Sequence, residues 1–198
     1  KVDGTLVDRA VRRILLQKMR LGLFENSFVD QARAEAIVHT AEHQDLALRA
    51  AREGIVLLKN EGSVLPLRKD LKAIAVIGPN ADDPKNQLGD YVAAEVTQKI
   101  TTVLEGIRGI VSPGTRVTYV RGCDVVGTKV EEVEKARRAA ASADAAVVVV
   151  GENEWQKKDR AGTSGEGYDA ATLELTGLQE KLVEAVAATG TPTVLVLV

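Results

Sequence analysis

The feature that most constrains the fold is a series of continuous apolar runs from residue 71 onward, which alternate with segments of helical periodicity. In order, these segments are AIAVIG at 73–78, TTVLEGIRGIV at 101–111, RVTYV at 116–120, a helix near 130–142, AAVVVVG at 145–151, a helix at about 177–188 and TVLVLV at 193–198. Strands that are apolar throughout and are separated by crossover helices predict an α/β fold. Its sheet should be open and mainly parallel with helices on both faces, an α/β sandwich.

The first third of the chain lacks such runs and predicts helices instead. Apolar residues recur at helical spacing between Val7 and Leu21, and Gly22 provides a stop. Residues 23–40 look irregular, and DLALRAAREGIVLL then resumes a helical pattern that ends near Gly54. We expect a helix within residues 1–24, a linker with one helix in residues 25–70, and the α/β sandwich, truncated at its end, in residues 71–198.

Composition excludes several classes of partner. Lys and Arg (26) nearly balance Asp and Glu (28) and the charges are interspersed, so nothing in the sequence points to nucleic acid or an anionic membrane. No apolar run is long enough to cross a bilayer. Cys123 is the only cysteine, which excludes an intrachain disulfide and a multi-cysteine metal site. We expect no cofactor, no nucleic acid and no membrane partner.

The segment from Gly151 to Thr176 is the first candidate for chemistry. Right-handed crossovers place every loop that follows a strand on one edge of the sheet, and ligands of open α/β sheets bind at that edge. This segment has no apolar periodicity, and loops of such length in compact domains are usually functional or disordered. Among the carboxylates that it concentrates on that edge are Glu152, Glu154, Asp159, Glu166 and Asp169.

These carboxylates allow acid/base catalysis, metal binding or simple solvation, and solvation is the commonest state of a surface carboxylate. Their spacing matches no calcium loop, and His39 and His43 lie far away in sequence, so we expect no metal. No phosphate-binding glycine motif lies between a strand and a helix, and no G-x-S-x-G motif is present. These absences argue against a nucleotide site and a serine hydrolase, and leave carboxylate chemistry or a binding module.

The helix after the loop has a start signal at Thr176. A Thr followed three residues later by Gln179 has the pattern of a capping box. We therefore expect Thr176 to cap this helix and to anchor the end of the loop beside the sheet.

Several motifs, in order, resemble glycoside hydrolase family 3. VRRILLQKMRLGLFEN is similar to the end of that family's barrel domain, and ALRAAREGIVLLKNEGSVLPL to the segment that joins the barrel to the second domain. The resemblance continues through IAVIGPNADD, LGDY, TTVLEGIRGIV, VTYVRGCDV, ADAAVVVVGENEW, GEGYDAATLELTGLQEKLVEAV and TPTVLVLV, and so covers essentially the whole chain. It implies that residues 1–24 are the terminal helix of a barrel domain otherwise missing from the chain, and that residues 25–70 link two domains.

Members of that family hydrolyse β-glucosides, β-xylosides and related glycosides with retention, through a covalent intermediate on an aspartate of the barrel domain. The resemblance thus implies part of a retaining β-glycosidase, with a β-linked glycoside or oligosaccharide and the barrel domain as partners. Glu166 matches the acid/base Glu of the family's E-G-x-D-R stretch, and Asp169 matches its Asp, to which we assign a supporting role. Gly165 and Gly167 would let the backbone reach into a neighbouring cleft.

Two departures from the family pattern matter. Ala170 stands where the family usually has Arg, and Thr176 stands where it usually has Pro. Without that Arg, either another cation in the loop (Lys157, Lys158 or Arg160) replaces it or the site is altered. The alternative therefore stays open that the chain is a non-catalytic carbohydrate-binding or assembly domain of the same fold.

Two further residues are candidates for contact with substrate. Trp155 would stack on the apolar face of a sugar ring, or equally would pack as a loop residue on the edge of the sheet. Glu152 follows a strand end directly and is a second candidate polar contact, ranked below Glu166 because it lacks the flanking glycines.

Overall fold

The computed structural model describes residues 2–89, 91–92, 99–153, 163–165 and 170–198. The chain divides into two compact units, Lys1–Leu58 and Lys59–Val198. None of the helices in these described ranges combines the length and the apolar character that a membrane span needs. The domain limits assigned from the sequence, at residues 24 and 70, stay predictions.

The first unit consists of helices that each begin at a capping side chain. They are α1 (Gly4–Arg20), α2 (Gln31–Ile37) and α3 (Ala41–Gly54), capped by Asp3, Asp30 and Thr40. Helices α1 and α3 agree with the predicted helical segments. The irregular character predicted for residues 23–40 is wrong because α2 lies there, and its seven residues are too few to show a helical period.

Within the described residues, the second unit is built on a four-stranded sheet in which every strand pair is parallel. Its strands are β1 (Ala73–Ile77), β2 (Arg116–Val120), β3 (Ala145–Val150) and β4 (Thr193–Leu197), in the order β2-β1-β3-β4. In the register, Ala75 lies between Thr118 and Ala146. The predicted α/β fold class with a parallel sheet is confirmed.

Helices cover both faces of the sheet, which explains why the central strands are apolar throughout. One face carries α5 (Val130–Ala141) and α6 (Gln179–Ala187), and the other carries α4 (Val103–Ile110). Every residue of β1 and β3 is buried as a result. Thr102 and Glu105 form a complete capping box at the start of α4.

The start of α6 corrects one prediction. The helix begins at Gln179 with Leu178 as its N-cap residue, and no side chain among the described residues caps it. The capping box predicted for Thr176 and Gln179 is therefore wrong. Thr176 Oγ1 instead donates to the backbone carbonyl of Val125 at 2.7 Å, and the amide of Gln179 bonds to the backbone of Gly151. Both side chains hold loops together, so neither is free to cap the helix.

Candidate functional site

Glycines end the two central strands at the carboxyl edge of the sheet. Gly78 follows β1 with a φ of 121°, and Gly151 follows β3 with a φ of 141°. A Cβ on Gly78 would lie 2.0 Å from the carbonyl oxygen of Val149, and one on Gly151 would lie 2.0 Å from that of Val198. Only glycine lets each loop leave so close to the neighbouring strand.

Three buried asparagines join the loops that follow β1 and β3. Nδ2 of Asn153 donates to Oδ1 of Asn86 at 3.2 Å, and Nδ2 of Asn86 donates to Oδ1 of Asn80 at 2.9 Å. Nδ2 of Asn80 donates in turn to the carbonyl of Glu152 at 3.4 Å. Their side chains are almost completely buried, with residue exposures of 6%, 4% and 0%. Since buried amides are stable only when hydrogen-bonded, this asparagine chain fixes the two loops against each other.

The backbone of Asn153 also closes the loop after β3 on itself. Its carbonyl accepts from the amides of Thr163 at 2.9 Å and Ser164 at 3.3 Å. Its own amide donates to Oγ1 of Thr163 at 3.0 Å. Oδ1 of Asn153 is buried and has no hydrogen-bond partner among the described residues. Residues 153 and 163 are thus held side by side at the edge of the sheet.

Gln179 joins the two ends of the same loop. Its Oε1 accepts from the amide of Gly151 at 2.9 Å, and its Nε2 donates to the carbonyl of Gly151 at 2.9 Å. Nε2 also lies 3.1 Å from Oγ1 of Thr176 and 3.3 Å from the carbonyl of Val125. The Gln179 side chain has no exposed surface. One buried amide therefore connects the first residue of the loop, its last segment and the loop after β2.

Of the predicted site residues, the structure describes Glu152. It is partly buried at the end of β3, and its carbonyl belongs to the asparagine chain. Trp155, Glu166 and Asp169 lie outside the described residues, so their roles stay predictions. Gly165, directly before Glu166, has a φ of 109°, a conformation that favours glycine.

Burial shifts the pKa of two other side chains near the carboxyl edge, Cys123 and Tyr119. Burial, followed by the charge of Asp124, raises the pKa of Cys123 to about 11, so its thiol stays protonated at neutral pH and is a poor nucleophile. Burial also raises the pKa of Tyr119. In the part of the chain that the structure describes, no three His, Cys, Asp or Glu side chains are grouped as metal ligands.

Sequence reasoning missed the asparagine chain and the function of Gln179. A signal was present, because Asn80 is the third residue after the end of β1 and Asn153 is the third after the end of β3. Polar amides at equivalent positions of two adjacent parallel strands face one another across the same edge.

Fold and site together define an α/β domain that holds a long loop, anchored at both ends, at the carboxyl edge of a parallel sheet. Residues 55–198 match the family model of the glycosyl hydrolase family 3 C-terminal domain. The chain belongs to glycoside hydrolase family 3 and carries the C-terminal domain of that family. The resemblance expected from the motifs is confirmed.

Curated relatives of known name extend over nearly the whole chain. A beta-xylosidase of Formosa agariphila is 36% identical over 199 residues, which cover 97% of this chain and 26% of the relative. A periplasmic beta-glucosidase of Salmonella typhimurium is 33% identical over 222 residues, covering 100% of this chain and 28% of the relative. The chain thus spans about a quarter of the length of these relatives.

Solved structures agree with this assignment. A beta-glucosidase involved in saponin metabolism from intestinal bacteria has a TM-score of 0.87 at 35% identity, covering 100% of this chain and 30% of that one. The beta-glucosidase of Listeria innocua in complex with isofagomine has a TM-score of 0.78 at 29% identity, covering 99% of this chain and 26% of that one.

Proposed function

We propose that the protein carrying this chain is a retaining β-glycosidase of the β-glucosidase or β-xylosidase type, which hydrolyses terminal non-reducing β-linked sugars. The observation that carries the proposal is the loop after β3, which is anchored at both ends on the ligand-binding edge of a family 3 domain. Relatives named beta-xylosidase and beta-glucosidase support both sugar types as substrates to test.

In this proposal Glu166 is the general acid/base, and the nucleophilic aspartate belongs to a barrel domain of the same protein. Asp169, Trp155 and Glu152 support substrate binding, Trp155 by stacking on the sugar ring. A retaining mechanism needs the two carboxyl groups about 5–5.5 Å apart, so the loop has to bring Glu166 to the barrel's active site.

The reaction proceeds in two displacements. The aspartate attacks the anomeric carbon while the bond to the leaving oxygen breaks, and protonated Glu166 gives its proton to that oxygen. The Glu166 carboxylate then removes a proton from water as the water attacks the anomeric carbon and releases the aspartate. The products are a sugar that keeps its β configuration and a free alcohol, and Glu166 is protonated again.

The test compares the full-length protein with its Glu166→Gln variant on substrates that differ in the leaving group. Cellobiose has a poor leaving group that needs protonation, whereas dinitrophenyl β-glucoside and β-xyloside have good ones that do not. The variant should lose cellobiose hydrolysis by about 10²–10⁴-fold, the usual contribution of general acid catalysis, and keep formation of the intermediate from the dinitrophenyl glycosides. Glu174→Gln, the same change at an exposed position of the same loop, should leave both activities intact.

Equal cellobiose hydrolysis by the wild type and Glu166→Gln would remove Glu166 from the mechanism. If neither hydrolyses any β-glycoside while the wild type still binds the sugars, the non-catalytic binding domain replaces the enzyme. Ala170, an exposed residue where the family usually has Arg, is the feature that favours this second candidate.

A further inference from the structure

The buried amide of Gln179 does more than satisfy its own hydrogen bonds. It pairs with both backbone groups of Gly151, where the loop leaves β3, and it contacts Oγ1 of Thr176, where the loop returns to α6. Thr176 itself donates to the carbonyl of Val125. The side chains of Gln179 and Thr176 therefore join the two ends of the loop to each other and to the loop after β2.

We propose that Gln179 is a positioning residue of the acid/base loop, which holds the base of that loop in the one geometry that lets Glu166 reach the leaving oxygen. This inference rests on the proposed function, because it assigns Gln179 an effect through Glu166. Gln179 is buried under the loop and contacts its backbone, so it acts without touching the substrate.

The chemistry of the amide explains why glutamine is needed. Gly151 presents a donor and an acceptor to the same side chain, and only a group that both accepts and donates satisfies them. Methionine has a similar length but would leave the amide and carbonyl of Gly151 buried without partners. An unpaired buried group is unfavourable, so the loop base would move toward water to satisfy it.

The glycines beside this contact make the base of the loop intolerant of small shifts. A Cβ on Gly177 would lie 2.9 Å from the amide nitrogen of Gly127 and 3.0 Å from the carbonyl oxygen of Val125. A Cβ on Gly151 would lie 2.0 Å from the carbonyl oxygen of Val198. Both ends of the loop are thus packed directly against neighbouring backbone. Among the described residues, only the side-chain amide of Gln179 forms hydrogen bonds with both ends.

Misplacement of a catalytic group by about 1 Å can lower a rate by about 100-fold. The loss should depend on how much the reaction needs proton donation. Gln179→Met in the full-length protein should lower kcat on cellobiose by about 10- to 100-fold and change the formation of the intermediate from a dinitrophenyl glycoside by less than about 3-fold. The alkaline limb of the cellobiose pH profile, which reports loss of the proton that Glu166 donates, should shift as well.

Two further variants make the result specific. Val186→Ala removes buried volume from the same helix without touching the amide, so it should lower stability and leave the ratio between the two substrates unchanged. Thr176→Val removes one hydroxyl from the same cluster and should show the Gln179→Met pattern with a smaller loss. It tests the proposal even if Gln179→Met does not fold.

The decisive comparison combines Gln179→Met with Glu166→Gln. If Gln179 acts through Glu166, adding Gln179→Met to Glu166→Gln should cause no further loss of cellobiose hydrolysis. The positioning role would be overturned if the double variant lost a further factor in cellobiose hydrolysis as large as that of Gln179→Met alone. It would also be overturned if Gln179→Met slowed the reactions of both substrates equally. Neither result would change the role of Glu166. If the Glu166→Gln single variant hydrolysed cellobiose as fast as the wild type, the proposed function would be overturned, and the positioning role of Gln179 with it.

Discussion

Asn153 donates from its Nδ2 to Oδ1 of Asn86 across 3.2 Å, and this contact joins the loop after β3 to the loop after β1. Asn86 is the middle member of the asparagine chain, since it also donates to Asn80 at 2.9 Å. Such a link stabilises loops at the edge of a sheet, because the backbone there has no strand partner.

Replacing Asn86 with Asp tests this link. The carboxylate still accepts from Asn153 but cannot donate to Asn80, and it places a charge where Asn86 is 4% exposed. We expect a loss of about 1–3 kcal/mol or more in the free energy of unfolding. Hydrogen exchange in peptides that cover residues 79–88 and 145–153 should become faster, while exchange in α1 should not change.

The neighbouring Gln87 is a matched control. Its Nε2 is buried and has no hydrogen-bond partner among the described residues, so removing the amide takes away an unsatisfied group. Gln87→Met should leave the thermal midpoint unchanged or raise it. A decrease as large as that of Asn86→Asp would mean that the burial of this segment, rather than the asparagine chain, determines its stability.

Gly78→Ala should be far more damaging than Gly190→Ala, although both glycines have a positive φ. The new Cβ would lie 2.0 Å from the carbonyl oxygen of Val149 in the centre of the sheet. At Gly190, where φ is 72°, no atom of the described residues lies within 4 Å of such a Cβ, so Gly190→Ala reports backbone strain, about 1–2 kcal/mol. Thermal unfolding of the two variants separates the clash from the strain, and equal midpoints would contradict the close approach.

Cys123 should be unreactive in the folded protein. Burial raises its pKa from 9.0 to about 11, so at pH 8 a thiol reagent should modify it only as fast as the protein opens. Mass spectrometry after alkylation, with and without denaturant, measures this directly. Rapid labelling of the native protein at pH 8 would show that the thiol is accessible.

The same shift in the pKa of Cys123 predicts the sign of a pH effect. The folded state holds the thiol proton more tightly than the unfolded state, so this stabilising contribution is complete below pH 9 and is lost as the pH rises from about 9 toward 11. The thermal midpoint of the wild type should fall over that range more steeply than that of Cys123→Ala. Parallel curves would contradict the shift.

The strands of the fold are readable from the sequence because β1 and β3 are buried on both faces and so contain apolar residues without interruption. Helix α2 cannot be predicted from the sequence, since its seven residues are too few to show a helical period. The local capping pattern at Thr176 and Gln179 mispredicts the start of α6, because both side chains bind backbone that is distant in sequence. A local sequence pattern does not show whether a side chain caps the nearby helix or binds backbone that is distant in sequence.

Among the candidate site residues, too, some can be predicted from the sequence and others cannot. The carboxylates of the loop are visible as residue types, and the motif resemblance singles out Glu166. The asparagine chain depends on the parallel pairing of β1 with β3, a contact between residues far apart in sequence that no single segment of the sequence encodes.

If Glu166 is the acid/base of a retaining β-glycosidase, as we propose, azide should change both the rate and the product of the Glu166→Gln variant. We would incubate the full-length Glu166→Gln variant with dinitrophenyl β-glucoside and azide, and determine the anomeric configuration of the product by NMR. Azide needs no general base, so it should attack the glycosyl-enzyme intermediate, accelerate turnover and give the β-glycosyl azide. Turnover that azide leaves unchanged, with no glycosyl azide formed, would contradict the assignment of Glu166, and an α-azide would contradict the retaining mechanism.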